Sequence, residues 1–148
     1  MHRAVTTIIL ASLPFLAGAS SAAQDKGQFR ARLSTVPIDV AQQSTIAGNG
    51  SATATLTDRK ISVTGTFANL KTPATVAKIH VAPKGMRGPA ILDLVVTNAT
   101  SGSLSGEFEL TPAQVRELMA GRFYIQLHSE KAPEGNLWGW LLPQETRR

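Results

Sequence analysis

Two histidines hold most of the reactive potential of this chain. His80 and His128 are the only ones beyond the first few residues, the third being His2. Neutral imidazole is a copper and zinc ligand, so the pair points to metal binding as one chemistry to consider. The ligand count falls short, because a catalytic zinc site takes about three protein ligands and a structural one about four. Glu130, Asp93 or a second copy of the chain would have to complete it. Copper or zinc on His80 and His128 is therefore the alternative expectation, and no cofactor is the first.

Other reactive groups are fewer still. The chain has no cysteine, which removes thiolate nucleophiles, thiolate metal ligands and disulfides together. Its serines lie in Ser/Thr-rich stretches without a Gly-x-Ser-x-Gly elbow, so serine hydrolase chemistry has no foothold. Gly85-Met86-Arg87-Gly88 imitates an RNA-clamping loop, but that loop joins two helices and this one joins two strand-like runs. Asn98-Ala99-Thr100 fits the glycosylation sequon and matters only in a host that glycosylates. A non-catalytic protein is the expectation. Its contact chemistry would come from aromatic and polar side chains, chiefly Tyr124, Gln126, His128, Trp138, Trp140 and Lys78.

These residues owe their grouping to strand periodicity. Period-two alternation runs through the chain from Gln28, with Phe29, Ala31 and Leu33 against Gln28, Arg30 and Arg32. Ala52, Ala54 and Leu56 continue it, then Ile61, Val63 and Phe67, with Asp58-Arg59 as a two-residue hairpin turn between those runs. Further runs follow at Ala77 to Val81, Leu92 to Val96, Leu104 to Leu110, Phe123 to Leu127 and Leu137 to Leu141, separated by turns at Ala82 to Pro89, Asn98 to Ser103 and Ala132 to Asn136. If Ala77, Ile79 and Val81 face inward, Lys78 and His80 face outward. By the same rule Tyr124, Gln126 and His128 oppose Phe123, Ile125 and Leu127, and Trp138 and Trp140 oppose Leu137 and Leu141.

Outward aromatic residues need either a partner or a cover. The Lys131 to Asn136 loop and the Val36 to Ile46 segment are the two candidate covers within the chain. A protein partner, a small ligand or self-association is the other possibility, since large exposed apolar patches are uncommon in monomers.

Short, regularly spaced strands predict an all-β fold, a Greek-key or immunoglobulin-like antiparallel β-sandwich. One short helix precedes the penultimate strand. Thr111 caps it, Pro112 opens it, Gln114 completes a capping box, and Gly121 stops it. Val115, Leu118 and Met119 form its apolar stripe.

The first residues read as an address. His2 and Arg3 precede the apolar run Ala4 to Ala19, and Ala19-Ser20-Ser21-Ala22-Ala23 offers small side chains for cleavage. Residues 1–23 are expected to be a signal peptide and 24–148 a single domain, periplasmic or secreted. The run is shorter than the roughly 20 apolar residues of a membrane anchor and contains Pro14, so no membrane insertion is expected after cleavage. Charge adds little: 15 Lys and Arg against 10 Asp and Glu give +5, scattered rather than gathered in a stripe. Nucleic acid is not an expected partner.

The same runs, in order, resemble the chordin-type (CHRD) domain family, as a bacterial exported single-domain member. Phe29-Arg30-Ala31-Arg32-Leu33 matches its Phe-x-Ala-x-Leu opening, and Gly50 to Leu56 its Gly-x-Ala-x-Ala/Thr-x-Leu strand. Ala77-Lys78-Ile79-His80 resembles its Ala-His-Ile-His strand, followed by the Pro83 to Pro89 loop and the Ile91 to Val96 strand. Gly102 to Gly106, the Leu110 to Val115 helix start and the Gly121 to His128 strand complete the likeness. Two positions depart from the pattern. Lys78 replaces the first strand histidine, and Leu137-Trp138-Gly139-Trp140-Leu141 replaces a terminal Ile-Arg-Gly-Gln-Leu strand. The resemblance implies a binding or structural module. Alternating strand histidines also resemble those of copper-zinc superoxide dismutases, whose redox role is what the metal alternative implies, but the change at Lys78 leaves that strand with one histidine.

Overall fold

The computed structural model describes residues 26–145. The expected signal peptide, residues 1–23, lies outside the described residues. The alternating runs form β1 (Lys26–Thr35), β2 (Asn49–Thr57), β3 (Lys60–Ala68), β4 (Ala74–Val81), β5 (Ala90–Val96), β6 (Gly102–Glu109), β7 (Phe123–Ser129), β8 (Ala132–Trp140) and the two-residue β9 (Leu142–Pro143). The helix α1 (Pro112–Met119) sits between β6 and β7.

The sandwich expectation requires a correction. Around the sheet the order is β2-β3-β6-β5-β4-β7-β8-β1, and β1 pairs back onto β2, which closes an eight-stranded barrel. Strands β3-β6-β5-β4 follow a Greek-key path within it. Two seams join what would have been separate sheets. One is short, Val95↔Ser105 and Val96↔Leu104 between β5 and β6. The other depends on β1, which pairs with β2 from Lys26 to Leu33 and then reaches β8 through Ser34↔Trp138 and Thr35↔Leu137. Alternation fixes which face of a strand is buried but not which neighbours its ends reach.

Inward residues of the eight barrel strands fill the interior, with Phe29, Leu33, Leu56, Ile61, Ile79, Leu104, Ile125 and Leu127 all buried. The Asp58-Arg59 hairpin forms as expected, with Thr57 opposite Lys60 and Asp58 taking a left-handed φ of 56°. The capping box also forms: Gln114 N–H donates to Thr111 Oγ1 at 3.2 Å, and Thr111 N–H donates to Gln114 Oε1 at 2.9 Å. The helix is eight residues, about two turns, and buries Val115 and Leu118. Met119, expected on that stripe, is exposed. Gly121 ends the helix at φ 71°. No helix among the described residues is long and apolar enough to cross a membrane.

The Ala132 to Asn136 turn is a second correction. The chain reverses one step earlier, at Glu130-Lys131, and residues 132–136 belong to β8. Register jumps there, from Leu127↔Leu137 to Ser129↔Ala132, so β8 bulges away from β7. The bulge leaves backbone carbonyls without ladder partners, and side chains must satisfy them.

Candidate functional site

Three strands bring the expected residues together. His80, Tyr124 and Trp140 form one row across β4, β7 and β8, and Lys78, Gln126 and Trp138 form the next. Both rows lie on the outer wall, as alternation requires. The imidazole of His80 stacks on Tyr124 at 4.9 Å and 20°, and Tyr124 packs on Trp140 at 4.7 Å. Trp138 meets Trp140 at 4.8 Å and Tyr124 edge-on at 6.0 Å.

Outward does not mean exposed here. Tyr124 is 1% exposed, Gln126 3% and Trp140 8%, so the face expected to meet a partner is largely covered by its own chain. The 82–89 loop supplies much of the cover. Trp140 Nε1–H donates to the Ala82 carbonyl at 3.0 Å, and the Tyr124 hydroxyl accepts from Gly88 N–H at 3.0 Å. Arg87 lays its guanidinium 5.8 Å from the Trp138 ring centre and donates to the Glu134 carbonyl. Val36, Ile46 and Ala132 pack beside Trp138, so the N-terminal segment contributes as well. The result is a second, outer apolar layer on one side of the barrel.

Gln126 and His128 serve the β8 bulge. Gln126 Nε2–H donates to the Glu134 carbonyl at 2.9 Å, and His128 Nδ1–H donates to the Pro133 carbonyl at 2.8 Å. His80 does the equivalent for the 82–89 loop, donating from Nδ1 to the Gly88 carbonyl at 2.9 Å. A carbonyl only accepts, so each imidazole in its neutral form carries the proton on Nδ1 and has a lone pair on Nε2. Both Nε2 atoms are buried with no hydrogen-bond partner among the described residues. Lys78 is half-buried and pairs with Asp93 at 2.9 Å. Asp93 is thereby engaged, and no cluster of three or more His, Asp or Glu side chains able to hold a metal exists among the described residues.

Burial holds His128 below the ordinary histidine range, and the nearby His80 and Lys78 push the same way; the Pro133 carbonyl and Glu134 oppose them. Stability should therefore fall on acidification. The unfolded chain takes up the proton at about pH 6.5, before the folded chain does, so the loss begins there and continues until the folded pKa is passed. The expected result is a lower urea midpoint at about pH 5 than at about pH 7, with part of the difference removed by His128→Gln. An identical pH dependence in parent and variant would refute the assignment.

Beside the aromatic layer runs an open groove of about 770 Å³. Trp138, Gly139 and Trp140 of β8 line one part of it, Arg30, Arg32 and Ser34 of β1 another, and Lys84 with Gly85 the rim. Along the sequence these cations belong to a scattered set. The available signal was the period-two exposure of β1, which places Arg30 and Arg32 on one side.

A closed antiparallel barrel with a covered aromatic layer and a groove beside it defines the class: a small β-barrel domain. Residues 29–141 match the CHRD domain family, and the chain belongs to it. Neither the curated proteins nor the solved structures yield a significant match.

Proposed function

We propose that this chain is an exported, non-catalytic CHRD binding or structural module, periplasmic or secreted after loss of residues 1–23. Its contact surface is the groove along β1 and β8. One observation carries the reading: Trp138 and Trp140 line an open groove of about 770 Å³ while the rest of the aromatic layer is sealed beneath the 82–89 loop. A protein, a small ligand or a second copy of the chain makes contact there, and the buried Tyr124, Gln126 and Trp140, with the partly buried His128, hold the groove wall in shape. A partly exposed indole surrounded by packed neighbours, as Trp138 is, is a typical contact residue.

Intrinsic tryptophan fluorescence tests this directly, because both tryptophans of the chain line the groove. A bound ligand should shift the emission, and Trp138→Ala should weaken its binding by about tenfold or more. Trp138 is the residue to change, since removing the buried Trp140 would disturb folding as well. Binding that Trp138→Ala leaves unaltered would place the contact surface elsewhere.

A second reading, copper or zinc on His80 and His128 with a redox role of superoxide dismutase type, has one observation in its favour. Both Nε2 lone pairs are buried and unpaired. Metal analysis of protein prepared without an affinity tag, after exposure to both ions, separates the two readings: stoichiometric metal supports this one and its absence removes it.

A further inference from the structure

The groove carries a charge pattern that a generic binding role leaves unused. Arg30 and Arg32 stand two residues apart on the outer side of β1, about 7 Å along the strand, and Lys84 comes from the 82–89 loop to the same groove. No acidic side chain among the described residues lines it. The ion pairs found among those residues join Arg59 to Glu109, Lys78 to Asp93 and Arg122 to Glu117, so none neutralises these three cations. Like charges gathered around a concave, partly apolar surface raise the local potential and favour an anion.

We propose that the groove binds an acidic polysaccharide, a chain of uronic-acid rings. Carboxylates pair with Arg30, Arg32 and Lys84, and an apolar ring face lies against Trp138, the less buried of the two indoles. The proposal rests on the binding-module reading and names the ligand class of that same groove. The backbone disfavours an acidic peptide, which would gain most by adding a strand to a free edge. Here β1 is paired with β2 on one side, and on the other with β9 at Phe29 and Arg30 and with β8 at Ser34 and Thr35. A glycan needs no ladder. Guanidinium groups take carboxylates in two-point contacts, and the hydroxyls of Ser34 and Ser51 in the groove wall suit the ring hydroxyls.

Polygalacturonate, its fully methyl-esterified form and polyglutamate separate the possibilities by affinity electrophoresis and tryptophan fluorescence. Polygalacturonate should bind, with the esterified polymer, which keeps the rings and loses the charge, at least about tenfold weaker. Arg30→Gln with Arg32→Gln should weaken polygalacturonate binding by about tenfold or more while leaving the unfolding midpoint unchanged, because both side chains are exposed. Binding should also weaken as salt is raised. Failure of the folded parent to bind polygalacturonate, or binding indifferent to the double substitution, overturns the proposal. Polyglutamate shifting the fluorescence in a Trp138-dependent way, without polygalacturonate doing so, overturns the polysaccharide and leaves the binding module standing. Silence towards all three polymers overturns the polysaccharide alone, and the binding-module reading then falls or stands on the Trp138→Ala test.

Discussion

Replacing Tyr124 with alanine is expected to lower the unfolding free energy by about 3–5 kcal/mol, the range for truncating a buried aromatic residue. Period-two alternation alone would put this outward side chain on the surface, where substitutions shift stability by about 0.5 kcal/mol or less. The structure argues otherwise. Tyr124 is the hub of the outer layer, in contact with His80, Trp138 and Trp140. Its hydroxyl also meets the Gly88 N–H at 3.0 Å and the Gly88 carbonyl at 3.3 Å. Truncation opens a cavity beneath the 82–89 loop and removes what anchors that loop. Tyr124→Phe isolates the hydroxyl and should cost about 1–2 kcal/mol, the penalty for leaving a partly buried N–H without its partner. Urea unfolding of both variants measures the two contributions. A loss below about 0.5 kcal/mol for Tyr124→Ala would show that the outer layer adds nothing to the fold.

Gly139→Ala should be comparably damaging, by about 3 kcal/mol or more, through overpacking rather than a cavity. A Cβ at this position would lie 2.3 Å from the Arg32 carbonyl oxygen and 2.9 Å from its carbon. Those are backbone atoms, so relief requires β1 to move away from β8. That is the seam where Ser34↔Trp138 and Thr35↔Leu137 complete the barrel. Hydrogen exchange should report faster exchange at Ser34 and Thr35 than at the β2–β3 hairpin, which the substitution does not touch. An unchanged urea midpoint with unchanged exchange at the seam would contradict the close approach of β1 and β8.

Much of this architecture was legible in the residues. Phe29, Ala31 and Leu33 announce the inward face of β1, Asp58-Arg59 the hairpin, and Thr111 with Gln114 the start of the helix. Each is a local signal, set by strand pleat, turn length or capping geometry. Local signals failed where a distant group changed the outcome. Pro133 and Gly135 read as a turn, yet they lie in β8, because Gln126 and His128 reach across from β7 to the carbonyls of Glu134 and Pro133. Arg30 and Arg32 read as scattered charge until the closure of the barrel set them beside Trp138 and Trp140.

His80, Tyr124, Trp138 and Trp140 mark the division most clearly. Strand alternation already turns each of them to the outer side of its own strand, because the pleat sends successive side chains to opposite faces whatever the rest of the chain does. Long-range packing is what sets β4, β7 and β8 side by side, buries Tyr124 and Trp140, leaves a groove beside them and joins the two expected sheets as one barrel. Burial depends on what folds over a residue, and the Trp140 bond to Ala82 spans 58 positions of chain. No local periodicity encodes a contact of that range.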